Sequence, residues 1–170
     1  TRWLNVTGVQ TCALPICRRE GRTDYRQRAR LLRAGVPRAV VRTSLRHISV
    51  QIVDFDPQGD RVLVTAHSRE LLGMGWDKAT GNVPAAYLTG YLAGKKAVAK
   101  GVNEAVLDIG LKVPAKGATA FAALKGMLDA GMRIPHGKEV LPSKERLAGK
   151  HIGDDVERMV MDIKTRMEAN

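Results

Sequence analysis

Between His47 and Phe55 the chain alternates, with Ile48, Val50 and Ile52 on one parity and His47, Ser49 and Gln51 on the other. A period of two suits a strand half-buried on a sheet, whereas the apolar stripe of a helix repeats about every 3.6 residues. Two more strand candidates flank this one, Arg38–Thr43 and Arg61–Ala66. Asp54 ends the central strand, and Asp56-Pro57-Gln58-Gly59-Asp60 reads as a hairpin turn with Asp56 and Asp60 as turn formers. An antiparallel meander is the expected result.

Helical patterns then take over. Asn82 and Pro84 open a helix predicted to run to about Ala99, with Leu88 and Leu92 one turn apart and Gly90 and Gly94 forming a small flat patch that would bring it close to the sheet. Ala105–Ile109 is short and almost wholly apolar, as in a buried parallel strand. Ala118–Ala130 is the next helix, with Phe121, Leu124 and Leu128 at core spacing and Gly131 as its stop. Strand and helix alternating after a meander predicts an α/β fold around a mixed sheet, three strands antiparallel and one parallel, flanked by helices. From Arg133 the pattern loosens. Ser143 is placed to cap a short helix, and Asp154 or Asp155 starts a last one, whose stripe of Val156, Met159, Val160 and Ile163 suits a protein core or a neighbouring protein.

The apolar share of 44% supports a folded chain, and no run reaches the roughly 20 apolar residues of a membrane span, so no membrane partner is expected. The only two cysteines, Cys12 and Cys17, lie in a leader that fits neither the composition nor the pattern of the remaining sequence. Val6–Ile16 reads as the translation of a common indexed sequencing adapter, so residues 1–17 are expected to be a read-end artefact and are set outside the fold. With no cysteine elsewhere, a disulfide framework is not expected, and the rest of the chain suits a reducing cytoplasm.

Charge is concentrated in one place. From Arg18 to Arg46 there are ten arginines, no lysine and only two acids, Glu20 and Asp24, which gives +8 of the chain's formal net +11. Arginine is the choice where planar, bidentate donors meet phosphate oxygens, and Tyr25 offers a face on which a base can stack. Ordinary solvated surfaces mix both signs, so a nucleic-acid backbone is the expected partner. Arg18, Arg19, Arg22, Arg26, Arg28, Arg30 and Arg33 are the principal candidates, part of them on a short helix from Tyr25 to Ala34 that Gly35 and Pro37 stop. Arg42, Ser44, Arg46 and His47 are placed to extend that surface. Lys112 and Lys116, with Gly117, precede a helix start, where amide groups and the helix dipole favour phosphate.

The segment Arg18-Arg19-Glu20-Gly21-Arg22-Thr23-Asp24-Tyr25-Arg26-Gln27-Arg28 resembles the N-terminal arm of the L eighteen family of 5S-rRNA-binding large-subunit ribosomal proteins, in its archaeal form. The resemblance continues through Gln51–Asp56, His67–Leu71, Gly81–Gly90, Ala105–Gly110, Phe121–Gly126 and Ile134–Gly137, and so covers nearly everything from Arg18 to about Ile152. It implies a sandwich related to the ribonuclease H type. The residue pattern divides the chain into a basic arm over residues 18–36, an α/β core over 37–132 and a helical C-terminal extension over 133–170. The resemblance also implies a structural, non-enzymatic role without a cofactor. The implied partners are 5S rRNA, 23S rRNA and the neighbouring 5S-binding protein of the large subunit, in the cytoplasm.

Two other classes remain open at this level. Asp54, Asp56, Asp60, Glu70 and Asp108 could be arranged as the carboxylates of a ribonuclease H-like, metal-dependent nuclease, and a basic RNA-binding chain could serve as a free RNA chaperone. Gly90-Tyr91-Leu92-Ala93-Gly94-Lys95-Lys96 resembles a phosphate-binding loop only superficially, since it lacks the following Ser or Thr and lies in a helix pattern. His47, His67, His136 and His151 are too scattered to suggest a metal site.

Overall fold

The computed structural model describes residues 21 and 23–169. The leader and Arg18, Arg19 and Arg22 lie outside the described residues. Strands β1 (Arg38–Thr43), β2 (Ile48–Asp54) and β3 (Arg61–His67) make the meander, and β4 (Val106–Asp108) adds in parallel beside β1, giving the order β3-β2-β1-β4. Ala39 lies opposite Ile52 and Val41 opposite Val50, while Val50 and Ile52 face Ala66 and Val64 across the other ladder. Cross-strand partners point to the same side, so the alternation read from the sequence collects these residues into one buried apolar face.

The fourth strand differs from expectation. Only three residues of the apolar run pair, and Val106 and Leu107 are half-buried rather than buried, because β4 is an edge strand with a neighbour on one side. Asp108 is its buried residue.

Seven helical segments are described: α1 (Tyr25–Leu32), the short α2 (Glu70–Gly73), α3 (Val83–Ala99), α4 (Thr119–Asp129), a 3-10 turn (Lys138–Val140), α5 (Lys144–Ala148) and α6 (Asp154–Ala169). Asn82 caps α3 by accepting from the Ala85 amide at 2.9 Å. The helix is buried on all sides from Val83 to Gly94, because it meets β2 and β3 on one side and α4 on the other.

Gly90 and Gly94 do not face the sheet. They face α4: a Cβ on Gly90 would fall within 2.0 Å of the Ala123 carbonyl oxygen, one on Gly94 within 2.6 Å of Ala130 Cβ, and one on Gly126 within 2.1 Å of the Tyr87 carbonyl oxygen. The two helix backbones therefore touch, which only glycine permits. The glycine pattern correctly marks a close approach, but periodicity cannot say which neighbour approaches.

The remaining helices finish the same core. Phe121 and Leu124 of α4 are buried, and Leu128 is half-buried at its edge. Ser143 occupies the N-cap of α5 without making a side-chain cap bond, and Gly149 ends that helix at φ +83°. Val156, Val160, Ile163 and Met167 of α6 are buried, and Tyr91 donates to Glu168 Oε1 at 2.9 Å. The last helix packs on the protein core.

Candidate RNA-binding surface

The other face of the sheet carries the second parity of β1, Arg38, Val40 and Arg42, with Ser49 and Gln51 opposite Arg42 and Val40. Helix α1 is attached here. Asp24 starts it, its Oδ1 accepting from the amides of Arg26 at 2.9 Å and Gln27 at 3.1 Å, and the chain leaves at Gly35 with φ +65°. The helix ends at Leu32, two residues before the expected Ala34.

Arg26, Arg30 and Arg33 follow one another at helical spacing and are exposed. Arg28 points elsewhere. Its Nη2 spans both oxygens of Asp60 at 2.8 and 2.9 Å, and Asp60 also accepts from Arg38. Arg38 Nη1 reaches Asp108 Oδ2 at 3.0 Å, and Arg42 Nη2 reaches Asp108 Oδ1 at 3.1 Å. Asp108 Oδ1 takes a further bond from the Gly110 amide at 2.8 Å, and the Asp108 carbonyl accepts from Arg42 Nη1 at 2.8 Å. The result is a chain of alternating charge, Arg28–Asp60–Arg38–Asp108–Arg42, running from α1 across β1 to the end of β4.

Position along this chain decides what each member can do. Arg38 is only 3% exposed and Asp108 6%, so their charges are compensated internally. Arg42, with its side chain about half exposed, can present part of its guanidinium outward. Asp60, expected as a turn former, is instead an acceptor for two arginines, whereas Asp56 does form the turn by accepting from the Gln58 amide.

The tip of the β1–β2 hairpin continues the basic surface. Ser44 Oγ accepts from the His47 amide at 2.9 Å, and the Ser44 amide donates to the His47 carbonyl at 2.8 Å, closing a tight turn that leaves Leu45 and Arg46 exposed. Thr80 Oγ1 donates to the Arg46 carbonyl at 2.7 Å and lies 2.9 Å from His47 Nδ1. A hydroxyl has one proton, so His47 Nδ1 acts as the donor in this arrangement and Nε2 carries the lone pair. His67, paired by register with Ser49, brings its ring within 5.2 Å of the His47 ring. Partial burial, reinforced by the charges of Arg69, His67 and Arg46, holds the His47 pKa below its usual 6.5. His47 and His67 are thus brought together, although among the described residues no group of three His, Cys, Asp or Glu is placed to hold a metal ion.

The predicted phosphate loop is open but partly spoken for. Lys112 and Lys116 are exposed, Lys116 Nζ pairs with Glu139 at 3.1 Å, and the Gly117 amide donates to the Val140 carbonyl at 3.0 Å. Tyr25 is half-buried at the start of α1. The structure therefore gathers Arg26, Arg28, Arg30, Arg33 and Arg42 around α1 and β1, with Ser44, Arg46 and His47 at the hairpin tip.

Residues 16–104 and 99–137 match the family described as ribosomal large subunit proteins 60S L5 and 50S L18. The chain is 54% identical over 145 residues to the large ribosomal subunit protein uL18 of Methanococcus maripaludis, covering 85% of this chain and 75% of that protein. The chain belongs to this family. It is therefore a member of a family of large-subunit ribosomal proteins, as the arm and the motifs after it implied.

The nuclease arrangement finds no support in the placement of its carboxylates. Asp60 and Asp108 are each bound by two arginines, Asp54 and Asp56 accept from backbone amides just after them, and Glu70 is paired with Lys96. Reading by segment missed Arg38, Asp60 and Asp108 as the frame of the basic surface. A signal existed: Arg38 and Arg42 share a parity on a strand whose other parity is apolar, which calls for buried acidic partners.

Proposed function

We propose that this chain is a structural constituent of the large ribosomal subunit in the cytoplasm that binds 5S rRNA and helps attach it to 23S rRNA and the neighbouring 5S-binding protein in the central protuberance. The observation that supports this reading best is the division of labour among the arginines. Arg28 and Arg38 anchor α1 to the sheet, while Arg26, Arg30 and Arg33 remain exposed along one stripe. Such a stripe neutralises phosphates by charge, and the open sheet face and its loops follow RNA shape, because side chains cannot enter the deep groove of an RNA duplex to read bases. Arg18, Arg19 and Arg22 would extend the stripe, and Arg42, Ser44, Arg46, His47, Lys112 and Lys116 would flank it. Binding rather than catalysis is the role, and no cofactor is needed.

The test is the affinity of the full chain for 5S rRNA at several salt concentrations. Replacing Arg26, Arg30 and Arg33 together by Ala is expected to weaken binding and flatten the log–log salt dependence by about 0.7 to 0.9 for each phosphate no longer neutralised. Circular dichroism should be unchanged, since none of the three side chains belongs to the ion-pair chain that holds α1. Undiminished affinity and slope would move the RNA interface away from α1. This triple variant is cleaner than one that includes Arg28, whose loss would also loosen the helix.

A further inference from the structure

The basic surface holds a cleft of about 310 Å³ between α1, β1 and the loop after β4. Its walls divide by chemistry. Leu31, Ile109 and Leu111 are apolar, and Leu111 is 58% exposed. Gln27 offers hydrogen-bonding groups, half-exposed Arg42 presents part of its guanidinium, and Lys112 adds positive charge, while Arg28 and Arg38 line the cleft already paired with Asp60 and Asp108. Arg38 is buried, and its Nε has no hydrogen-bond partner among the described residues. The acids nearby are committed: Asp24 to the α1 amides, Asp108 to Arg38, Arg42 and Gly110.

We infer that this cleft receives one unpaired nucleotide of the bound RNA, its base against the apolar wall and its phosphate toward the basic rim. The inference rests on the RNA-binding reading above and adds a sequence-bearing contact to it. Several features favour a nucleotide over a bare phosphate or a duplex backbone. A phosphate has no use for Leu31, Ile109 and Leu111, and a duplex backbone cannot enter a cleft of this volume, whereas splayed, unstacked bases are the usual targets of specific RNA recognition and are held against aromatic or apolar side chains. A base edge also needs both donors and acceptors, and Gln27 supplies both. Gly110 contributes by its backbone: at φ +65° it turns the chain so that its amide reaches Asp108, and a Cβ there would come within 3.0 Å of the Arg42 guanidinium.

The experiment compares full-length wild type with Leu111→Glu and Gln27→Ala, measuring affinity for 5S rRNA at several salt concentrations and probing base reactivity of the RNA at single-nucleotide resolution in each complex. In the wild-type complex one unpaired base should become protected. Leu111→Glu should expose that base again, with the rest of the footprint retained, and weaken binding about 10- to 150-fold, the value of burying one leucine side chain. Gln27→Ala should weaken binding less and alter reactivity at the same base only, with the salt slope unchanged because every phosphate-facing cation is still present. A wild-type complex that binds tightly, with no protected base that depends on Leu111 or Gln27, overturns the cleft assignment and leaves the arginine-stripe reading standing. Failure of the wild type to bind 5S rRNA overturns both. Circular dichroism of each variant reports folding, and a Leu111→Ala variant supplies the same comparison if the glutamate disturbs the loop.

Discussion

The two faces of the sheet are held by opposite means. One face meets α3 through Ile48, Val50, Ile52, Val64 and Ala66, all at most 3% exposed. The other meets α1 through Arg28, Asp60 and Arg38. Apolar burial is non-directional and scales with area, so the first face can be large and dry. Ion pairs are directional, and a buried charge that loses its partner costs several kcal/mol, so the second face depends on each link of a short chain of charges. The apolar face and the helix pair behind it carry the fold, while the charged face positions α1 and leaves its outer arginines exposed, which on the proposed function keeps stability and binding apart.

The apolar side is most vulnerable at its back, where α3 and α4 touch. Gly90→Leu should destabilise by about 3 kcal/mol or more, because the new side chain meets the backbone at Ala123 rather than a side chain that can move aside. Gly73→Ala, where no atom lies within 4 Å of the added Cβ, is the control and should be close to neutral. Urea denaturation reads both, and a Gly90→Leu protein as stable as wild type would mean that the helices are not in backbone contact.

The charged side is most vulnerable at Asp108. Asp108→Ala strips Arg38 of one of its two carboxylates and Arg42 of its only side-chain partner among the described residues, and should cost about 3 kcal/mol. Replacing Arg38 by Met and Asp108 by Leu together should cost less than Asp108→Ala alone, since the buried arginine is then removed along with its partner. If the double variant is the less stable of the two, the chain of charges contributes more than mutual compensation.

A smaller effect is expected at the hairpin end of the charged side. Because folding lowers the His47 pKa below 6.5, the unfolded chain binds more protons in the interval between the two values. The contribution of His47 is therefore fully present above about pH 6.5 and lost as pH falls through the folded value. Unfolding midpoints in urea should drop on acidification through this range, and His47→Gln should flatten part of the drop. An unchanged pH profile in the variant would show that the dependence does not arise at His47.

Much of the fold was legible because it is local. The alternation of β2, the Asn82 cap and the Pro84 start of α3, and the apolar stripe of α6 each fix an element from neighbouring residues alone. The site was legible only in part. Arg26, Arg30 and Arg33 stand out by composition and spacing, but Arg28 sits among them in sequence and serves the frame instead, through an acid 32 positions away. The pairing of Arg38 with Asp108 spans 70 positions, and the His47–His67 approach depends on the β2–β3 register.

Residue order was enough to establish that this chain folds as a meander followed by alternating helix and strand, that its charge is gathered at one end, and that it belongs with the large-subunit ribosomal proteins it resembles. The first two properties rest on periodicity, capping and composition, which are short-range and additive along the chain, and the third on the likeness of whole motifs to the family. Only the closed fold could settle which arginines are spent on the protein and which are offered outward, and that Gly90, Gly94 and Gly126 bring helix to helix rather than helix to sheet. A salt bridge or a backbone contact is a matter of angstroms between distant segments, and such distances exist only once the chain has closed on itself.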